Sequence, residues 1–221
     1  MRCIVTAGPT YEPIDQVRRL TNHSTGRLGT GLAKRLAAVG HEVVLLRGTL
    51  ATHNEQLEDV AVETFTTTDD LATKLERLAK RQAQAEAVFH AAAVSDFAAA
   101  AVLQKGSDGE LAPLCQGKFS TRDGELLLEL RPTHKIIARL RAWFPDACLV
   151  GWKYEVDGDR TSALGKAQRQ LADNATDACV ANGPAYGDGF GMQKKGNETA
   201  EHLVDSVALF DALAHLAKRH D

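Results

Sequence analysis

Short apolar runs separated by stretches of helical periodicity constrain the fold of this chain most. The runs read CIVTAG, EVVLLRG, VAVETF, AVFHAAAV (ending at Ser95-Asp96), ACLVGWKY and DACVAN. Between the first two, LGTGLAKRLAAVG sets Leu28, Leu32, Leu36 and Val39 at helical spacing and stops at Gly40. Asp69 to about Lys80 reads as a second helix, capped by the Thr-Asp stretch before Leu71. Thr133 to Trp143, Thr161 to Asn174 and a closing segment to about Arg219 read as further helices. Strands alternating with helices imply an α/β fold, a Rossmann-like three-layer parallel sheet with helices on both faces.

Two regions break this rhythm. From Ala98 to Gly117 no period is evident, and Gly106, Ser107, Asp108 and Gly109 suggest a mobile loop. KFSTRDGELLLEL then reads as a hairpin about Asp123-Gly124, and FGMQKKGNETAEHLV as a second about Gly196-Asn197. With no linker or composition break, residues 1–221 are expected to form a single domain. Residues 98–130 would be a protruding loop and hairpin, and 189–204 a second hairpin.

Of the 221 residues 44% are hydrophobic and 25% charged, with a net charge of −3. That is the composition of a globular protein with no field to draw it to nucleic acid or a membrane. The start, MRCIVTAGPT, has no charged region leading into a long apolar one, and no apolar run approaches the ~18 residues of a membrane span. A cytoplasmic location is expected. Cys3, Cys115, Cys148 and Cys179 form no CxxC pair and are expected to be reduced and inert. The histidines show no HExxH-like ligand spacing.

Ligands of an open parallel sheet gather beyond the carboxyl ends of its strands. There the chain carries AGPT, Ser95-Asp96, Trp152-Lys153-Tyr154 and Asn182. LTNHSTGRLGTG reaches the same edge. Ser24, Thr25 and Gly26 precede a helix whose free N–H groups and positive dipole end attract anions. A simple N-cap would account for one of the two hydroxyls, but not for Asn22 and His23 as well. A dinucleotide site wants its glycines directly after the first strand and an acid after the second. Here the glycines come roughly eighteen residues later, and strand two ends at Arg47-Gly48. Arg47 could accept a 2′-phosphate, which keeps an NADP-dependent oxidoreductase as an alternative. A Tyr-xxx-Lys pair is missing, because Gly158 follows Tyr154 and Phe190 follows Tyr186 at that spacing.

TAGPTYEPIDQVRRLTNHSTGRLG closely resembles the signature block of the phosphopantothenoylcysteine synthetase family. HAAAVSDF, KFST, VGWKYE and NATDACVAN resemble its later segments in order, over about residues 3 to 182, and the second hairpin matches loosely. The resemblance implies a ligase of coenzyme A biosynthesis. Such an enzyme activates 4′-phosphopantothenate with CTP or ATP and joins it to L-cysteine, with Mg²⁺ as cofactor. It implies a homodimer whose hairpins cover the partner's active site. Because the chain begins at the synthetase motif, a stand-alone synthetase without FMN is expected.

By the same resemblance Asn22 and Lys118 are the catalytic residues, and Asn22 and Ala93 meet the acid substrate. The nucleotide would be bound by Gly8, Ser24, Thr25, Gly26, His90, Ala91, Ala92, Asp96, Pro132, Lys135 and Trp152. Asp96 is also the candidate Mg²⁺ ligand. Gln170 and Asn174 fall where the bifunctional bacterial branch carries two CTP-contacting lysines, with Lys166 and Arg169 nearby but out of phase. That leaves CTP against ATP open, and keeps a non-catalytic nucleotide-binding relative as a further alternative.

Overall fold

The computed structural model describes residues 1–81, 85–106, 108–120, 122 and 124–218. Ser107 of the expected loop, Thr121 and Asp123 of the expected hairpin, and Arg219 lie outside the described residues. The first half contains β1 (Arg2–Ala7), β2 (Tyr11–Pro13), β3 (Arg19–Thr21), α1 (Arg27–Ala38), β4 (Glu42–Gly48), β5 (Val60–Phe65), α2 (Thr68–Ala79) and β6 (Ala87–His90). Then come β7 (Phe97–Lys105), β8 (Leu111–Pro113), β9 (Leu126–Pro132), α3 (Ile137–Trp143) and β10 (Cys148–Tyr154). The chain closes with α4 (Arg160–Asp173), β11 (Ala178–Asn182), β12 (Phe190–Lys194), β13 (Glu201–Leu203) and α5 (Ser206–Lys218).

Among the described residues the main sheet runs β13-β12-β11-β10-β6-β1-β4-β5. Every pairing from β11 to β5 is parallel, and β12 and β13 add on antiparallel. Neighbouring residues of β1 point to opposite faces, as the period of a strand requires. Val5 joins Leu45, Phe89, Val150 and Val180 beneath Leu32 and Leu36 of α1 and Leu209 and Leu213 of α5. Ile4 joins Leu46, Val88 and Leu149 beneath Leu71 and Leu75 of α2, Leu140 of α3 and Phe144 just after it. On that second face α4 seats Ala163, Ala167 and Leu171 against Cys179 and Ala181. Each such Leu or Phe contributes about 1.5–3 kcal/mol of burial. The α/β architecture read from the strand–helix rhythm is therefore the one found.

Several boundaries differ from expectation. The strand through AVFHAAAV ends at His90, because beyond it the chain peels away to pair Ala93 with Pro9. The third helix starts at Ile137 rather than Thr133, whose N–H and hydroxyl are held by the carbonyls of Asp96 and Ser95. The long connection after β1 folds β2 against β3.

The largest correction concerns the stretch from Ala98 to Gly117, which contains β7 and β8. Among the described residues, ELLLEL is not paired with Lys118, Phe119 or Ser120. β9 instead pairs antiparallel with β7, from Phe97↔Pro132 to Gln104↔Leu126, with a bulge between Ala99 and Ala101. The alanine run in β7 has little strand propensity of its own, and its leucine-rich partner imposes the ladder. The three-stranded arm β8-β7-β9 is separate from the main sheet.

Candidate active site

Moving outward from β1, the chain goes one way to β4 and the other to β6 and β10, so flanking helices diverge above the carboxyl ends of β1 and β6. A crevice opens at such a reversal. Here it is a cavity of about 750 Å³.

Its floor is built from backbone. The Ala92 N–H donates to Thr6 Oγ1 at 3.0 Å, and Thr6 Oγ1 lies 3.0 Å from His90 Nδ1. The Ala93 N–H donates to the Gly8 carbonyl, and the Thr10 N–H to the Ala93 carbonyl. Burial lowers the His90 pKa to about 4, so its imidazole is neutral. Asn22 closes one side. Its Nδ2 donates to the carbonyls of Ala93 at 3.2 Å and Val94 at 3.1 Å, across the cleft and not to its own turn.

The start of α1 forms the next wall. Gly26 is the N-cap with φ 77°, no side chain caps the helix, and no acid stands in its first turn. The Thr25 hydroxyl accepts from the Arg27 N–H at 3.3 Å. A Cβ on Gly26 would meet Ala51 Cβ at 3.0 Å and the Gly8 nitrogen at 3.3 Å, so the two glycines let these loops nest. Arg27 stands in the cavity lining at the positive end of the helix dipole, where a cation opposes helix stability. An anion arriving there relieves both the uncapped N–H groups and the arginine.

The far wall carries charge and an aromatic. Lys135 pairs with Asp96, and Lys153 lies 3.3 Å from Glu155, which also pairs with Lys166. The Trp152 carbonyl accepts from Gln170 Nε2 at 3.1 Å, and Gln170 Oε1 accepts from the Cys179 thiol. Trp152 Nε1 and Asn182 Oδ1 are buried without a hydrogen-bond partner among the described residues, and both residues line the cavity. Arg27, Lys135 and Lys153 against Asp96 give the lining a positive balance that suits a polyanion.

Of the residues singled out from the sequence, the structure gathers Asn22, Ser24, Thr25, Gly26, His90, Ala91, Ala92, Ala93, Asp96, Lys135, Trp152 and Gln170 around this one cavity. Gly8, Lys118, Pro132 and Asn174 lie outside its lining. Gly8 is packed beneath Gly26, Pro132 ends β9, and Asn174 caps α4 by donating to the Gln170 carbonyl at 2.7 Å. Arg47 is turned to the Glu55 carbonyl. His23, Lys153, Tyr154 and Asn182, placed at the ligand edge from the sequence without a specific role, also line it, as do Arg27 and Ile137, which the sequence did not single out. For Arg27 and Ile137 the available signal was a place at the start of a helix.

Residues 1–210 match the family described as the DNA/pantothenate metabolism flavoprotein C-terminal domain. The chain belongs to that family. One relative, a cysteine/cysteine sulfinic acid decarboxylase of an unknown prokaryotic organism, is 32% identical over 78% of this chain and 44% of its own length. The coenzyme A biosynthesis bifunctional protein CoaBC of Thermococcus kodakarensis is 32% identical over 82% of this chain and 41% of its own. The chain thus spans under half the length of these relatives. Among solved structures, the DNA/pantothenate metabolism flavoprotein of Streptococcus pneumoniae superposes over the whole of both chains with a TM-score of 0.86 and 27% identity. Cab2 bearing H337A, in complex with phosphopantothenate-cysteine, has the same fold with a TM-score of 0.75 and 19% identity. It covers all of this chain, which covers 86% of it. No helix among the described residues is long and apolar enough to cross a membrane.

Proposed function

We propose that this member of the flavoprotein C-terminal domain family is a phosphopantothenate–cysteine ligase, residues 1–221 forming one synthetase unit that works in the cytoplasm. The observation that carries this reading is the cavity at the β1/β6 reversal. There Asn22 is strapped to the Ala93–Val94 carbonyls beside an uncapped helix start and cations lining the pocket. The CoaBC name of one relative and the phosphopantothenate-cysteine bound to Cab2 support the substrate assignment.

A carboxylate resists amide formation until it carries a good leaving group. Its oxygen attacks the α-phosphorus of CTP or ATP, pyrophosphate leaves, and the acyl-nucleotidylate forms. The amine of cysteine then attacks the acyl carbon, the nucleotide departs as its monophosphate, and the amine proton passes to solvent or a base. Most of the catalytic task is positioning and charge neutralisation. The helix start at Ser24–Gly26, with Arg27, receives phosphate oxygens, and the backbone of His90–Ala92 flanks the nucleotide. Trp152 walls its base. Asn22 and the Ala93 backbone hold the acyl group, and Lys118 neutralises the α-phosphate when its segment meets the cavity.

Among the described residues no cluster of three or more His, Cys, Asp or Glu could hold a metal alone. Asp96, a carboxylate in the lining that pairs with Lys135, would hold a Mg²⁺ ion. Such an ion would supply charge neutralisation on the phosphates. The arm β8-β7-β9 leaves Phe97, Leu128 and Leu130 of one face exposed, and a second copy of the chain covers them in a homodimer.

Protein mixed with phosphopantothenate, cysteine, Mg²⁺ and CTP or ATP should release pyrophosphate. Lys118→Gln should abolish that release, and Asn22→Asp should let the acyl-nucleotidylate accumulate. If both variants turn over like the parent, the residue roles are wrong. No pyrophosphate with either nucleotide would leave a non-catalytic nucleotide-binding protein as the better reading.

A further inference from the structure

Beyond the end of β6 at His90, the chain from Ala91 to Asp96 supplies much of the cavity lining without a strand or helix to hold it. The Ala92 N–H is anchored by Thr6. The rest of the segment hangs on Thr10. The Thr10 N–H donates to the Ala93 carbonyl at 3.1 Å, beside the bridge between Pro9 and Ala93. The Thr10 hydroxyl accepts from the Ser95 N–H at 2.8 Å and donates to Ser95 Oγ at 3.1 Å. Thr68 Oγ1, at 3.3 Å, meets its remaining lone pair. A hydroxyl has one proton and two lone pairs to offer, so the capacity of Thr10 is fully used.

The same residue is tied to the strand that delivers Asn22. The Thr10 carbonyl accepts from the Thr21 hydroxyl at 2.8 Å, and Asn22 follows directly. Asn22 Nδ2 reaches back to the carbonyls of Ala93 and Val94, immediately before Ser95. The bonds thus form a closed ring through Thr10, Thr21, Asn22, Val94 and Ser95. Asp96 leaves the ring one residue further on, with the Thr133 N–H donating to its carbonyl at 2.9 Å.

The ring rests on a dry base. Thr10, Thr68 and Ser95 are all buried, and Glu12 beside them accepts the Thr68 N–H at 3.0 Å on a buried carboxylate. A threonine that merely shapes its own turn bonds to backbone about two residues on. The hydroxyl partners of Thr10 lie 58 and 85 residues away.

We propose that Thr10 is a positioning residue, whose buried hydroxyl and carbonyl fix the Asn22 amide and the Asp96 carboxylate relative to each other in the cavity wall. This rests on the ligase reading and on the roles given there to Asn22 and Asp96. Thr10 touches no substrate, since it is wholly buried and outside the lining. Without its hydroxyl the Ser95 N–H loses its acceptor inside the protein, and residues 94–96 must shift to find another. The carbonyl that orients Asn22 and the carboxylate of Asp96 move with them. Other nucleotide contacts stand apart from Thr10, because Thr6 holds Ala92 and the nested Gly8 and Gly26 seat the helix start. Loss of the hydroxyl therefore slows the chemical step and leaves nucleotide affinity largely intact.

The test uses Thr10→Val, Thr10→Ser and Thr21→Val in the full chain, with two readouts. The first is hydrogen exchange of the Ser95 amide, followed by NMR without ligand. It should be at least ~10-fold faster in Thr10→Val than in the parent, as local opening becomes easier, and parental in Thr10→Ser. In the second, kcat for pyrophosphate release should fall ~100-fold in Thr10→Val, the scale of an ångström misplacement, and at least ~10-fold in Thr21→Val. Thr10→Ser should restore kcat to within about threefold of the parent, and KM for CTP and ATP should stay within about threefold in all three variants. Parental exchange in Thr10→Val overturns the bonding arrangement. Faster exchange with parental kcat overturns the positioning role, as does a Thr10→Ser variant as slow as Thr10→Val, or a rise in KM with kcat retained. Should Thr10→Val lose its cooperative melting transition, Thr21→Val decides alone through kcat, because Thr21 is exposed and tolerates the change. If the parent itself releases no pyrophosphate, the ligase reading and the catalytic half of this proposal fall together, and the exchange measurement still decides the structural half.

Discussion

Substituting alanine for Gly29 sets two sizeable effects against each other. Gly29 lies in the first turn of α1, where a helical Gly→Ala change ordinarily gains about 1 kcal/mol. Its added Cβ would stand 2.6 Å from Ala7 Cβ, 2.9 Å from the Thr6 carbonyl oxygen and 3.1 Å from Ala7 Cα. Carbon atoms pack at about 3.5–4.0 Å, so α1 must retreat from β1 by roughly 1 Å. The obstructing atoms include strand backbone, which cannot rotate away, and overpacking of this kind costs about 1–3 kcal/mol. Sterics should win by up to ~2 kcal/mol, and the retreat should carry Ser24 to Arg27 with it. Gly165 in α4 is the control, since nothing lies within 4 Å of a Cβ built there. Gly165→Ala should raise Tm by ~2–4 °C, the shift expected of 1 kcal/mol at this chain length. Gly29→Ala should lower Tm and weaken ATP or CTP binding, followed through the fluorescence of Trp152 in the cavity wall. If Gly29→Ala stabilises the protein as much as Gly165→Ala does, the close contact of α1 with β1 is not real.

Two further outcomes follow from buried groups. His90, with its pKa lowered to about 4 by burial, binds fewer protons folded than unfolded, where the value is 6.5. Its contribution is full above pH 6.5 and is lost as pH falls through 4, about 3 kcal/mol in all. Urea unfolding of His90→Gln should lack that acid slope, and an unchanged slope would refute the neutral, buried imidazole. Burial pushes the thiols of Cys3, Cys148 and Cys179 up to about 12, whereas Cys115 is exposed. A disulfide reagent should titrate one thiol promptly in the native protein and all four in denaturant. Rapid native reaction of more than one would contradict the packing beneath α1 and α4.

The strand–helix rhythm and the block from Thr6 to Gly29 were legible because each carries its information locally. Apolar runs of strand length, helical spacing from Leu28 to Val39 and a polar loop before a glycine-led helix need no knowledge of distant partners. The arm was illegible for the opposite reason. The run Ala98–Ala101 has no alternation, and it is a strand through its pairing with Arg131, Leu130 and Glu129 of β9. The same limit applied to Gln170. Its place on α4 could be read, but not that its amide is occupied by Trp152 and Cys179. Lys153 and Asn182 were visible as strand-end residues, yet only the pairing of β10 with β11 brings them to the same wall as Trp152.

The most direct measurement incubates the protein with phosphopantothenate, L-cysteine, Mg²⁺ and CTP or ATP and follows the products by mass spectrometry. The expected result is phosphopantothenoylcysteine, with pyrophosphate and nucleoside monophosphate each formed in equal amount to it. Absence of the amide with both nucleotides, while they still bind in the cavity, would contradict the ligase reading.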